Sequence, residues 1–215
     1  MADAAIRRPG IYVLAGTNGA GKSTIGGEAF RAAGVEFFNP DEAARRIGAA
    51  VPHLSQTDCN GAAWHHGRRL LERAITGRLD FAFETTLGGE TMTRLLERAV
   101  AANLEVRIWY AGLASAELHV DRVRRRVAKG GHDIPEADIR RRYVQSRLNL
   151  IRLLPTLTEL RVYDNSAEGD PDAGRRPAPT LVLHWRDRRI VGPGDLAGTP
   201  DWAKPIVATA HLNVA

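Results

Sequence analysis

Residues 11–23 read IYVLAGTNGAGKS, an apolar run followed by Gly16-Thr17-Asn18-Gly19-Ala20-Gly21-Lys22-Ser23, which satisfies GxxxxGK[ST]. Each part of that pattern has a physical task. Glycines let several backbone N–H groups converge on phosphate oxygens, the lysine sets a point charge against the β and γ phosphates, and the serine hydroxyl suits Mg²⁺. A helix that follows directly turns its positive end toward the same anion. Residues 16–24, ending with Thr24, are therefore expected to bind a nucleotide, with ATP and Mg²⁺ as the cofactors.

Working outward, apolar runs at 35–38, 79–83, 104–110 and 160–163 join 11–15 as expected strands. Helical patterns fall between them at 22–33, 41–49, 62–76, 91–102, 115–129 and 135–154. This alternation predicts an α/β three-layer fold with a mainly parallel five-stranded sheet covered on both faces, and with the phosphate loop it suits the P-loop NTPase-like type. A Pro/Gly/Asp-rich loop at 168–179 and an expected edge hairpin at 180–192 come next. Residues 1–167 read as the kinase domain and 168–215 as a loop, hairpin and tail packed on it. The last twenty residues carry no decisive pattern.

Composition narrows the class. The chain has 215 residues, 44% hydrophobic and 26% charged, which suits a globular domain rather than a disordered one. No apolar run is long enough to span a bilayer and MADAAIRRPG lacks a secretory core, so a soluble cytoplasmic protein without membrane contact is expected. A single cysteine, Cys59, can close no intramolecular disulfide and build no cysteine zinc site. Adjacent His65 and His66 do not share a helix face and read as surface or core, while Trp64 reads as packing. Leu70, Leu71, Ala74 and Ile75 read as packing too.

In an open α/β sheet, ligands lie beyond the carboxyl ends of the strands. Asn39-Pro40-Asp41 follows one strand, and Asp41 is placed either to accept a hydroxyl proton or to cap the next helix. Glu84-Thr85-Thr86 follows another, with Glu84 a candidate for substrate or Mg²⁺ contact. Asp164-Asn165-Ser166 ends the last parallel strand, as a turn or on the adenine side. The formal charge of +5 is concentrated at 121–147, where nine bases face four acids. On the helix from Ser115, Arg122 and Arg126 lie off the apolar arc. On the helix from Pro135, Arg142, Ser146 and Asn149 form a polar row beside Ile139, Tyr143, Leu150 and Leu154. Glycine-hinged GGHDIPE joins the helices, giving the pattern of a lid that brings guanidinium groups to a transferring phosphoryl group.

AGTNGAGKST, FFNPDE, FAFETTL, RVRRRVAKGGHDIPEADIRRRY and VYDNS, in that order, resemble the zeta toxin-type phosphate-loop kinases, which phosphorylate UDP-N-acetylglucosamine with ATP. The resemblance spans about residues 11–166. It implies that Asp41 is the general base, that Glu84 and Thr86 contact the acceptor, that Arg126 and Arg142 hold the γ-phosphate beside Lys22, and that Ser23 helps hold Mg²⁺. A toxin of this type also implies an antitoxin partner. One departure is plain: the arginine that follows the Glu/Thr motif in the family is replaced by Gly88, Gly89 and Glu90, and the nearest is Arg94. The expected activity is phosphoryl transfer to a hydroxyl of a nucleotide sugar. Nucleic acid is not the expected partner, although a kinase of nucleic acid ends or a dinucleotide, or a nucleotide-dependent switch, fits the same residues.

Overall fold

The computed structural model describes residues 8–27, 37–167 and 178–215. The later part of the first expected helix, the start of the expected strand 35–38 and most of the loop 168–179 lie outside these. Among the described residues one sheet of seven strands forms the centre, in the order β2-β3-β1-β4-β5-β6-β7. The strands are β1 (Gly10–Ala15), β2 (Phe37–Phe38), β3 (Phe81–Thr85), β4 (Glu105–Gly112), β5 (Glu159–Asp164), β6 (Thr180–Arg186) and β7 (Arg189–Gly192). The first five run parallel, as expected. The count of five is corrected to seven, because the expected hairpin is not a separate ornament: β6 pairs antiparallel with β5 and extends the same sheet.

Strand β1 sits between β3 and β4, with Ala15 opposite both Thr85 and Tyr110. The chain reverses direction across the sheet at this point, which is where an open α/β sheet leaves a crevice. Alternation assigns the two faces of β1. Ile11, Val13 and Ala15 join the main core with Phe81, Phe83, Val106, Ile108 and Leu160, while Leu14 packs with Ala82 on the opposite face. All four β1 residues are fully buried.

The helices are α1 (Pro40–Ala50), α2 (Gln56–Gly77), α3 (Glu90–Ala101), α4 (Ala116–Val127), α5 (Glu136–Leu153) and α6 (Lys204–Leu212). Helix α2 starts six residues before the expected 62, because Ser55 caps it: the Ser55 Oγ accepts from the Asp58 amide at 3.1 Å. Strand β3 begins two residues later than expected, after a left-handed Arg78 and after Asp80, whose carboxylate accepts from the Gly10 amide at 2.7 Å. Glu84 and Thr85 thus belong to the strand itself. Helix α6 was not anticipated, since KPIVATAHL is apolar almost all round and gives no amphipathic contrast. Trp202, Ala203, Ile206, Val207 and Ala210 bury it in the main core.

Candidate active site

The loop after β1 takes the conformation its glycines permit. Gly16 (φ +140°) and Gly19 (φ +83°) occupy backbone regions that disfavour side chains, and a Cβ on them would stand 2.2 Å from the Ala111 carbonyl oxygen and 2.7 Å from that of His119. Thr17, Asn18, Ala20 and Lys22 are buried. Lys22 folds back over the loop, its Nζ donating to the Gly16 carbonyl at 2.8 Å and standing 3.4 Å from Glu84 Oε1. Ser23 is exposed and opens a π-helical turn, Ser23–Gly27.

Three elements hold this loop from outside. The Arg142 guanidinium of α5 donates to Asn18 Oδ1 at 2.8 Å, and the Asn165 amide beyond β5 donates to the Ala20 carbonyl at 2.9 Å. His119 of α4 donates from Nδ1 to the Asn18 carbonyl at 2.8 Å. Burial first, then Lys22 and the nearby arginines, push the His119 imidazole down to about 4, with the Asn18 hydrogen bond opposing them. At neutral pH the ring is uncharged. Its folded value lies below the ordinary 6.5, so the unfolded chain takes up the proton first and stability falls as pH drops from about 6.5 to about 4. The loss should be on the order of 3 kcal/mol. Melting of the wild type and of His119→Gln across this range checks it: the difference in their pH slopes should lie in this window, and parallel curves would refute it.

The polar row expected on α5 is turned inward. Ser146 donates to the Thr86 carbonyl at 2.7 Å and accepts from the Tyr110 hydroxyl at 3.0 Å, and Asn149 donates to the Leu87 carbonyl at 2.8 Å. Burial pushes the Tyr110 phenol up to about 12, so it remains a donor. Leu87 sits at φ +53°, an unfavourable region for a bulky residue, and is fully buried. The α5 row therefore clamps a strained turn between β3 and α3.

Asp41 does not cap α1. Asn39 does, its Oδ1 accepting from the amides of Asp41 and Glu42 at 2.9 and 3.1 Å, while its amide donates to Glu84 Oε2 at 3.2 Å. Pro40 occupies the first turn, and the exposed carboxylate of Asp41 faces a cavity of about 250 Å³. Asn18, Asp41, Glu84, Thr86 and Arg142 line that cavity together. Burial holds the Arg142 guanidinium below its ordinary value, with Asp138 and Asp41 pulling the other way. Arg126 lines the adjoining cavity with Asp41 and His132 rather than this one, and donates to the His132 carbonyl at 2.9 Å. Arg94 is absent from the lining and lies 3.5 Å from Glu90, 73% exposed.

Trp64 is corrected from a packing residue to a cavity wall. It is 40% exposed and faces the cavity with Phe38, Met92 and Asn60. Helical spacing alone does not say whether a core or a ligand covers an aromatic side chain. His65 and His66 are exposed, and among the described residues no three His, Cys, Asp or Glu side chains gather as a metal site. No helix among the described residues is long and apolar enough to cross a membrane.

A sequence-family model described as an AAA domain matches residues 11–145. An uncharacterised protein of Haemophilus influenzae is 31% identical over 129 residues, which cover 60% of this chain and 88% of that one. Among solved structures, the native AvrRxo1-ORF1:-ORF2 complex contains a chain that superposes with a TM-score of 0.65 at 14% identity, over 97% of this chain and 71% of the other. The same complex with ATP gives 0.63 at 15% identity, over 94% and 64%. At these identities the structural likeness shows the fold. The family match covers more than half of the chain and begins on the strand that carries the phosphate loop, and the protein therefore belongs to the AAA domain family.

Proposed function

We propose that the protein is an ATP- and Mg²⁺-dependent kinase that transfers the γ-phosphoryl group to a hydroxyl of a nucleotide sugar such as UDP-N-acetylglucosamine, in the manner of the zeta toxin-type kinases. One observation carries the reading: the phosphate loop, through Asn18, the candidate acceptor residues Asp41, Glu84 and Thr86, and the candidate γ-phosphate residue Arg142 share a single cavity. A group bound there meets a carboxylate base and a guanidinium beside the loop. The AvrRxo1 complex with ATP supports ATP as the nucleotide. The complex with a second protein supports a protein partner for this chain, which in the zeta toxin-type reading is an antitoxin.

Residues 16–24 and Lys22 hold the phosphates. The exposed Ser23 hydroxyl fits Mg²⁺, a cation that usually keeps most of its shell as water and phosphate oxygens and needs few protein ligands. Held there by Ser23, the ion would supply neutralisation of phosphate charge. Asp41 orients and deprotonates the acceptor hydroxyl, and Glu84 and Thr86 hold the acceptor. Arg142 stabilises charge on the transferring group. Arg126, which lines the adjoining cavity with Asp41, joins Arg142 on the γ-phosphate. Incubation with ATP, Mg²⁺ and a panel of nucleotide sugars should give one product heavier by one phosphate. ATP hydrolysis with no acceptor modified would refute the transfer.

Arg142→Ala should lower kcat by about 100-fold while ATP affinity changes little, since a guanidinium on developing charge matters most in the transition state. Arg141→Ala is the control. That side chain is exposed and pairs with Asp138 at 2.9 Å on the outer face, so its loss should change kcat less than about 2-fold. Equal effects from the two would refute the assignment of helix faces.

A further inference from the structure

The glycine-hinged loop between α4 and α5 is fastened to a helix on the other side of the Asp41 cavity. Its near end follows local rules. Gly130 turns left-handed at φ +82°, and the Gly130 and Gly131 amides donate to the Val127 and Arg126 carbonyls at 2.9 Å each, the pair of bonds that closes a helix on a glycine. Ile134 holds the far end by packing against Val120, Val123 and Ile139. Between these anchors His132 leaves α4 and α5 and reaches α2, its ring Nε2 standing 3.2 Å from the Asn60 amide nitrogen.

We propose that His132 is a positioning residue: its ring latches the lid onto α2 through Asn60, and its carbonyl sets Arg126 for phosphoryl transfer. The inference rests on the kinase reading above and adds what governs one of the two arginines. Asn60 Oδ1 already accepts from Gln56 Nε2 at 3.0 Å, which leaves the Asn60 amide to donate and the His132 ring nitrogen to accept. The His132 carbonyl in turn accepts from the Arg126 guanidinium at 2.9 Å. Arg126 Nε is buried with no hydrogen-bond partner among the described residues, so among them the orientation of the group rests on that carbonyl.

The place of the latch fits this role. Asp41, Asn60 and His132 line both the cavity that holds Arg142 and the one that holds Arg126, so the contact stands on the boundary between them, beside the candidate base. When the loop lifts from α2, the partner of Arg126 lifts with it. One hydrogen bond to a side-chain amide is weak enough to break in every turnover, as a lid requires.

The test has two arms, both on the full chain, with a melting curve to verify the fold of each variant. Trypsin without nucleotide reads the latch itself, because Lys129 and Gly130 are exposed and the cut between them can be identified by mass. It should run at least about 5-fold faster in Asn60→Ala and in His132→Ala than in the wild type. Asn60→Asp should stay within about 2-fold of wild type, since its carboxylate can accept from the ring in the other tautomer. Equal cleavage of the wild type and the Ala variants overturns the latch. Single-turnover transfer to UDP-N-acetylglucosamine at saturating ATP and Mg²⁺ reads the coupling. Each Ala variant should be slowed about 10-fold with ATP affinity within about 2-fold, and in an Arg126→Ala background Asn60→Ala should cost less than about 2-fold more. Costs that multiply overturn the path through Arg126, and would place Asn60 on the acceptor directly. The two readings fail separately. Faster cleavage of the Ala variants in a chain that phosphorylates no acceptor upholds the latch and sinks the kinase, whereas undiminished transfer by Asn60→Ala does the reverse.

Discussion

Lys22→Ala should reduce phosphoryl transfer by about 1,000-fold or more and weaken ATP binding at least about 10-fold, the range seen when a central charge is removed from a phosphoryl-transfer site. Lys22 is 8% exposed and reaches the Gly16 carbonyl, whereas Arg142 donates to the Asn18 side chain. The substitution also leaves Glu84 without its ammonium partner. The Asn39 amide stays on that carboxylate at 3.2 Å, so the melting temperature should fall modestly rather than collapse. Single-turnover transfer and the ATP dissociation constant, measured together, check the prediction. Turnover within about 3-fold of wild type would show that the loop is not the working phosphate site.

Asp41→Asn should reduce transfer by about 100-fold or more with ATP affinity and melting temperature almost unchanged. Sequence left the base and the cap as equal readings of this residue. The hydrogen bonds of Asn39 remove the cap reading, because Asn39 supplies the cap and Asp41 occupies the first turn on the cavity. An acidic residue in a first helical turn also gains from the helix dipole, typically about 0.3–1 kcal/mol. A small drop in melting temperature is therefore compatible with the prediction, while an unchanged rate would move the base assignment to Glu84.

Much of this site could be read from the sequence because its chemistry is local. The phosphate loop is contiguous, and its glycines state their own backbone requirement. The α5 row, Arg142, Ser146 and Asn149, was visible as helical spacing, but its partners were not, because the carbonyls of Thr86 and Leu87 belong to a turn about sixty residues away. His119 was passed over for the same reason, since its contact with Asn18 crosses 101 residues. The start of α2 is carried by Ser55 and Asp58, a capping pair that lies ahead of the apolar pattern. Helix α6 had no such signal, because a segment buried all round looks alike from every side.

The phosphate loop also has a brace that reaches it from the far end of the chain. The Trp202 indole lies against Gly112 and donates to Asp164 at 3.1 Å, and the next residue, Asn165, holds the Ala20 carbonyl. Docking of the C-terminal helix and ordering of the loop are thus thermodynamically linked. A ligand that tightens the loop must lend the same free energy to the tail, and a protease cut near residue 200 would loosen the loop without touching any residue that meets the ligand.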